Sequence, residues 1–323
     1  MLFEKAVLKK YNEKILARRD PDGTQLYFAP EDFPGLKWVD FNFTGDRRQR
    51  LYGHIYYRVE RKRDTVLVFD HGMGCGHVSY MKEINLLTER GFTVVTYDHT
   101  GTRRSEGENI GGMSQSLADL RCCIGALKAT DEYRAAEISV IGHSWGGFST
   151  MNIPAFYPDI KRIVAISGFV STHQVLSDAL RGALKLYRGA ILRQEDAVKP
   201  DLNGISAIDS IKNSSVNALI IHSRDDGTVS FENSFMALKN ALESTGRVEF
   251  LALDGKIHHP TYTTEAVKYK AEFSKEMKRR RKRGMLRSDE DKKRFTDMYD
   301  FDKMTDQDIG VWDKIVEFLE GHK

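Results

Sequence analysis

The chain has 323 residues, with 49 Lys plus Arg against 46 Asp plus Glu; a formal net charge of +3 is too balanced to imply nucleic acid as a partner. A hydrophobic share of 41% is enough for a sizeable core, and the length suits one α/β domain with an insertion. Met1 to Ala6 lacks the apolar stretch of a signal peptide, and no uncharged apolar run is long enough to span a membrane.

The first stretch, to about Pro34, is charged and contains the turn signal Asp20-Pro21-Asp22-Gly23; it reads as a helix followed by a surface excursion. Trp38 to Phe43 alternates, Thr44-Gly45-Asp46 turns, and Gln49 to Val59 returns with Leu51, Ile55, Tyr57 and Val59 at period two, which predicts an antiparallel hairpin. From Thr65 the pattern changes: Val66–Phe69 is a continuous apolar run, and mostly apolar, strand-length stretches follow at 92–97, 138–141, 163–166, 218–221 and 248–251, most separated by helix-length segments. Strands alternating with helices after an antiparallel start predict an α/β fold with a mostly parallel central sheet and helices on both faces. Function is then expected at the carboxyl ends of the strands.

Residues 169–213 break the alternation. Val175, Leu176, Leu180, Leu184, Leu186, Tyr187, Ile191 and Leu192 make the segment amphipathic, and it leaves from a strand's carboxyl end. It is expected to be a helical cap inserted between core segments 1–168 and 214–323, with Leu180 and Leu184 facing the substrate. After Val267 the chain becomes very polar, a charged insertion at about 270–306. The basic run Lys278–Arg283 is expected to be a solvated face, with weak contact to an anionic membrane surface as the lesser reading. From Asp308 to Glu320, Ile309, Trp312, Ile315, Val316 and Leu319 share one face of a docking helix. Cys75, Cys122 and Cys123 form a sparse, odd set that suggests reduced thiols and a cytoplasmic setting.

The chemistry centres on Gly142-His143-Ser144-Trp145-Gly146-Gly147, which follows the apolar run ending at Ile141. G-x-S-x-G makes a sharp turn from strand to helix that lifts the serine hydroxyl above the sheet and aims the Trp145 N–H at a developing oxyanion. A serine nucleophile needs a base, and the base needs an orienting acid, in the chain order Ser, Asp or Glu, His. The run 218–221 ends in His222-Ser223-Arg224-Asp225-Asp226, so Asp226 is the candidate acid and Asp225 the alternative. Of ten histidines, only His258, His259 and the penultimate His322 follow it, so the base is His258 or His259. The second oxyanion donor is expected from His71-Gly72-Met73-Gly74, at the Met73 N–H. With no C-x-x-C or H-E-x-x-H motif, neither metal nor cofactor is expected.

These motifs, with Tyr97-Asp98, Gly101, Ser105-Glu106-Gly107 and Pro260, resemble those of the α/β-hydrolases, and within that fold the branch of lysophospholipases, monoacylglycerol lipases and related serine peptidases. The resemblance covers roughly residues 43–267. It implies Ser144, Asp226 and His258 as the triad, Met73 and Trp145 as the oxyanion hole, and His71, Gly72 and His143 beside the substrate. The spacing before Asp226 and the proline two positions after His258 favour those two over their neighbours. The expected substrate is a small-molecule carboxylic ester of lipid-like character, such as a monoacylglycerol or lysophospholipid. The rivals are a peptidase using Glu195 or Asp196 to hold a substrate amine, and a non-catalytic binding module. Two departures stand out: Ser223 replaces the usual glycine before the acid, and Thr100 and Arg103 replace the usual Arg and Gly after the Tyr97 strand.

Overall fold

Among the described residues, eight strands form one sheet in the order β1-β2-β4-β3-β5-β6-β7-β8. The computed structural model describes residues 2–59, 65–74, 76–180 and 182–321; Cys75 lies outside the described residues, as do the side chains of residues 2, 183 and 184. β1 (Lys37–Thr44) and β2 (Arg50–Tyr57) form the hairpin, and β2 pairs antiparallel with β4 (Thr93–Tyr97). β3 (Thr65–Asp70), β5 (Glu137–His143), β6 (Arg162–Ile166), β7 (Asn217–Ser223) and β8 (Val248–Leu253) complete the sheet in parallel pairings. This is the architecture of an α/β-hydrolase, a mostly parallel sheet flanked by helices.

The continuous apolar runs have a direct cause. Successive strand residues point to opposite faces, and both faces are covered. Val66, Val68, Val140, Ile163 and Ile220 enter one buried cluster, while Leu67, Phe69, Ile141, Val164 and Ile221 enter the other. α3 (Gln115–Ala129) and α4 (Trp145–Asn152) close the first face. α2 (Met81–Glu89), preceding α3 in the chain, closes the second together with the C-terminal α12 (Ile309–Glu320). Trp312, Ile315 and Leu319 of α12 are buried as expected, but Ile309 is exposed, because it sits in the first turn beyond the sheet-facing stripe.

The remaining helices are additions. α1 (Leu2–Tyr11) precedes the hairpin. The 169–213 excursion contains α5 (Thr172–Ala179), α6 (Arg188–Val198) and α7 (Ala207–Lys212). Leu176, Leu180 and Ile191 are buried in the α3/α4-side cluster, whereas Leu186 is 82% exposed. α8 (Ala237–Leu242) lies between β7 and β8. The charged segment after β8 is more ordered than its composition suggests. α9 (Thr264–Lys282), α10 (Asp289–Thr296) and α11 (Phe301–Met304) enclose their own apolar cluster of Phe273, Leu286, Phe295 and Met304, with Leu26 packed against it. Three of the basic side chains are paired within the molecule: Arg279 and Arg280 with Glu276, and Arg281 with Asp22. No helix among the described residues is long and apolar enough to cross a membrane.

Candidate active site

β5 ends at His143, and α4 begins at Trp145, so Ser144 alone makes the turn. It adopts φ 56°, ψ −110°, a backbone region that non-glycine residues rarely occupy and that costs on the order of 1–3 kcal/mol. The turn is possible because its flanks lack side chains. A Cβ on Gly142 would collide with the Gly146 carbonyl oxygen, and one on Gly146 would collide with that of Asp70. Ser144 N–H donates to Ile166 O at 2.8 Å, which ties the turn to β6.

The structure brings Ser144, His258 and Asp226 together. His258 Nε2 lies 2.8 Å from Ser144 Oγ, and Nδ1 lies 2.7 Å from Asp226 Oδ2. A carboxylate only accepts, so Nδ1 carries the proton and Nε2 accepts from the serine hydroxyl. Asp226 is itself fixed. Its Oδ1 accepts from the Thr228 and Val229 N–H groups at 2.8 and 3.0 Å, and His222 Nε2 lies 3.2 Å from Oδ2. Burial would raise its pKa, but the hydrogen bonds from His222 and His258 outweigh this and hold it well below the usual carboxylate range. Asp225 does a different task. It accepts from Ser223 Oγ and from the Ile257 N–H, and so braces the loop that carries His258.

His259 does not reach Ser144. Its ring stacks on Tyr262 at 4.9 Å and on His143 at 5.6 Å. Burial and then the nearby Lys270 charge hold its pKa well below the ordinary value. His71 and His143 depart from the expectation that they face substrate. His71 is fully buried, donating from Nδ1 to Gly72 O and accepting the His99 N–H on Nε2. His143 donates from Nε2 to the His258 carbonyl at 2.8 Å and accepts from Tyr80 Oη on Nδ1 at 2.8 Å. Tyr80 Oη accepts in turn from the Gly72 N–H at 3.1 Å. A chain of three hydrogen bonds therefore joins the loop after β3 to the loop of the base. Burial and then His258 push His143 down to about 3, so its ring is neutral and keeps both roles. Tyr80 and His222 had no signal in the sequence: Tyr80 acts through His143, 63 residues on, and His222 through Asp226, four residues on, only because the loop after β7 folds back onto it.

The two expected oxyanion donors have suitable settings. Trp145 is the first residue of α4, whose opening N–H groups have no partner within the helix. The Met73 N–H makes no hydrogen bond among the described residues. Behind Trp145 lies a buried charge cluster. His99 sits 3.1 Å from Asp70 and 3.3 Å from Asp119, and the Trp145 ring packs on it at 4.8 Å. Burial opposes its charge, but Asp70 and Asp119 push it up to about 10.

A cavity of about 550 Å³ opens beside Met73 and Gly74. Its walls are residues from the 18–26 stretch, Ser79 and the helices of the 270–306 insertion; no described residue of the 169–213 excursion lines it. That excursion borders, through Asp178 and Ala179, a second cavity of about 470 Å³ against the Asp226 loop. The Leu184 side chain lies outside the described residues, and Leu180 is spent on the core. Glu195 and Asp196 are also engaged: Glu195 accepts from Tyr11 Oη and the Met113 N–H, and Asp196 pairs with His173. No group of histidine, cysteine and carboxylate side chains among the described residues could hold a metal ion.

A family model described as serine aminopeptidase, S33, matches residues 61–194, less than half of the chain. A protein described as putative carbamate hydrolase RutD from Agrobacterium fabrum is 28% identical over 122 residues, 37% of this chain and 44% of that protein. The Caulobacter vibrioides protein of the same description is 27% identical over 110 residues, 32% of this chain and 37% of that protein. The chain thus spans less than half the length of these curated relatives. Among solved structures, an esterase of Pyrococcus furiosus superposes with a TM-score of 0.59 at 18% identity, covering 82% of this chain and 96% of that one. An acylaminoacyl peptidase of Pyrococcus horikoshii gives 0.55 at 18% identity, over 71% of this chain and 39% of that one. By its sheet and these likenesses, the chain has the α/β-hydrolase fold.

Proposed function

We propose that the protein hydrolyses carboxylic esters by two-step acyl transfer. Ser144 attacks the carbonyl, His258 takes its proton and returns it to the leaving alcohol, and Asp226 holds the imidazole in the required tautomer. The Met73 and Trp145 N–H groups receive the oxyanion. Water then repeats the sequence on the acyl-enzyme. The observation that carries this reading is the continuous hydrogen-bonded line from Ser144 Oγ through His258 to Asp226, at 2.8 and 2.7 Å. A fluorophosphonate probe should label the wild-type protein at Ser144. Ser144→Ala should lose labelling and on the order of 10⁴-fold or more in kcat, with its melting temperature retained. Undiminished labelling or turnover in that variant would overturn the reading.

The finer reading is a lipid-like ester, a monoacylglycerol or lysophospholipid. What supports it is the apolar wall of Leu26, Phe273, Met277, Phe301 and Met304 in the cavity beside Met73. Apart from Leu26, that wall comes from the C-terminal insertion rather than from the 169–213 segment. A panel of p-nitrophenyl esters of graded acyl length tests it: kcat/KM should rise from acetate to a medium-chain ester. The aminopeptidase alternative has less support, because Glu195 and Asp196 are already engaged and the cavity adjoins Lys270 and Arg19, charges that repel an ammonium.

A further inference from the structure

The cavity beside Met73 combines its apolar wall with charge. Arg18 is paired with Asp20, and Arg281 with Asp22, so these four side chains neutralise one another. Arg19, also on the wall, donates to Ile15 O and approaches Met73 Sδ at 3.6 Å. Lys270, on α9, is different. Its Nζ makes no hydrogen bond and no ion pair among the described residues; its recorded contact is the face of Tyr262, 5.5 Å from the ring centre. Glu83 attracts it without forming an ion pair. Tyr262 stacks on His259, the residue that follows the candidate base. Lys270 thus lies on the cavity wall, and its ammonium, without an acceptor among the described residues, sits one ring away from His259 in the loop of the base. Burial lowers its pKa, as expected of a cation short of a counter-ion.

We propose that this cavity is an anion-binding subsite in which Lys270 recognises a carboxylate or phosphate carried by the ester substrate. The inference rests on the hydrolase reading above and deepens it: the substrate is an anionic amphiphile, with its apolar portion against Phe273, Met277 and Phe301 and its charged group at Lys270. A charge-assisted hydrogen bond inside a partly desolvated cavity discriminates strongly, because the neutral analogue leaves the ammonium unpaired. The opposite layout, a carboxylate facing the cavity, would select an amine instead.

The test compares matched ester pairs in the full-length protein. One pair is p-nitrophenyl hemisuccinate and its methyl ester; the other is an acylglycerol phosphate and the acylglycerol of the same chain. In the wild type, the ratio of kcat/KM for anionic over neutral substrate should exceed one for at least one pair. The pair that shows it identifies carboxylate or phosphate as the group. Lys270→Met should lower that ratio by about 10- to 100-fold, and Lys270→Arg should retain most of it. A wild-type ratio of one or less in both pairs, or an equal loss on both members in Lys270→Met, would overturn the proposal. Calorimetric titration of the Ser144→Ala protein with succinate and with inorganic phosphate reads the subsite without turnover. Binding there that disappears on adding Lys270→Met supports the subsite even if the hydrolase reading fails; no binding of either anion counts against it. Since it uses no product readout, this arm separates failure of the subsite from failure of the chemistry.

Discussion

Asp225 and Asp226 are adjacent in sequence and alike in chemistry, yet only one touches the imidazole. Asp226 turns inward because Thr228 and Val229 offer two N–H groups to its Oδ1, which leaves Oδ2 for His258. Asp226→Asn should therefore approach a loss of about 10⁴-fold in kcat, since an amide presents the wrong proton to the ring. Asp225→Asn should cost far less, because it weakens only the brace to Ile257 and Ser223. Steady-state rates of the two variants decide; the reverse order would exchange their roles. His143 is a positioning residue that acts through the carbonyl of His258 and through Tyr80. His143→Phe keeps the ring volume but breaks the chain of hydrogen bonds. It should lower kcat by about 10- to 100-fold while moving KM by less than about two-fold. A variant with unchanged kcat and raised KM would instead restore a substrate contact to His143.

At the scale of elements, the C-terminal insertion matters more to the cavity than its composition suggests. Its cluster is small, so each aromatic carries a large share of it. Phe295 is fully buried against Phe273 and Tyr299, with Arg280 over its face at 5.2 Å. Phe295→Ala should cost about 3–5 kcal/mol within this unit. Because the cluster is separate from the two that hold the sheet, the loss should appear as local opening of α9–α11. Hydrogen exchange should quicken in α9–α11 and stay slow in β3 and β5, and kcat/KM should fall for medium-chain esters more than for acetate. Uniform quickening across the sheet would show that the insertion is part of the main core. The 169–213 segment supplies the contrast: Leu176, Leu180 and Ile191 are spent on the main core, so substitutions there should report on stability before specificity.

At the scale of the whole molecule, buried and partly buried histidines shape the pH range of stability. His54 is held down to about 4 by burial and then by the neighbouring His77, and His143 to about 3. Both stay neutral in the fold while the unfolded chain takes up protons below about pH 6.5, so stability falls as pH drops from there. His99 works in the other direction. With a folded value of about 10, it contributes stability that is complete below about pH 6.5 and is lost as pH rises toward 10. Urea midpoints should therefore decline on both sides of a maximum near about pH 6.5 to 7, and His54→Gln should flatten the acid side. A midpoint that is level between about pH 4 and 6.5 would count against the neutral histidines.

The strands were legible in the sequence because their signal is local. A strand covered on both faces favours an unbroken apolar run, and Val66–Phe69, Ile163–Ile166 and Ala218–Ile221 supply it without reference to any neighbour. The elbow was legible for the same reason, since only residues without a Cβ at 142 and 146 leave room for the sharp turn at Ser144. Tertiary structure alone decided what depends on approach from afar. The direction of His71 and His143 into the framework is set by His99, Tyr80 and the His258 carbonyl, 115 residues away in the last case. Which insertion walls the cavity is set likewise by the packing of Leu26 against the Phe273 cluster, across most of the chain. Composition marked 270–306 as a charged insertion, with the run 278–283 as a solvated face, because charged residues outnumber its aromatics. A few aromatics suffice to close a small core once three helices bring them together, and no pattern of short period records that meeting.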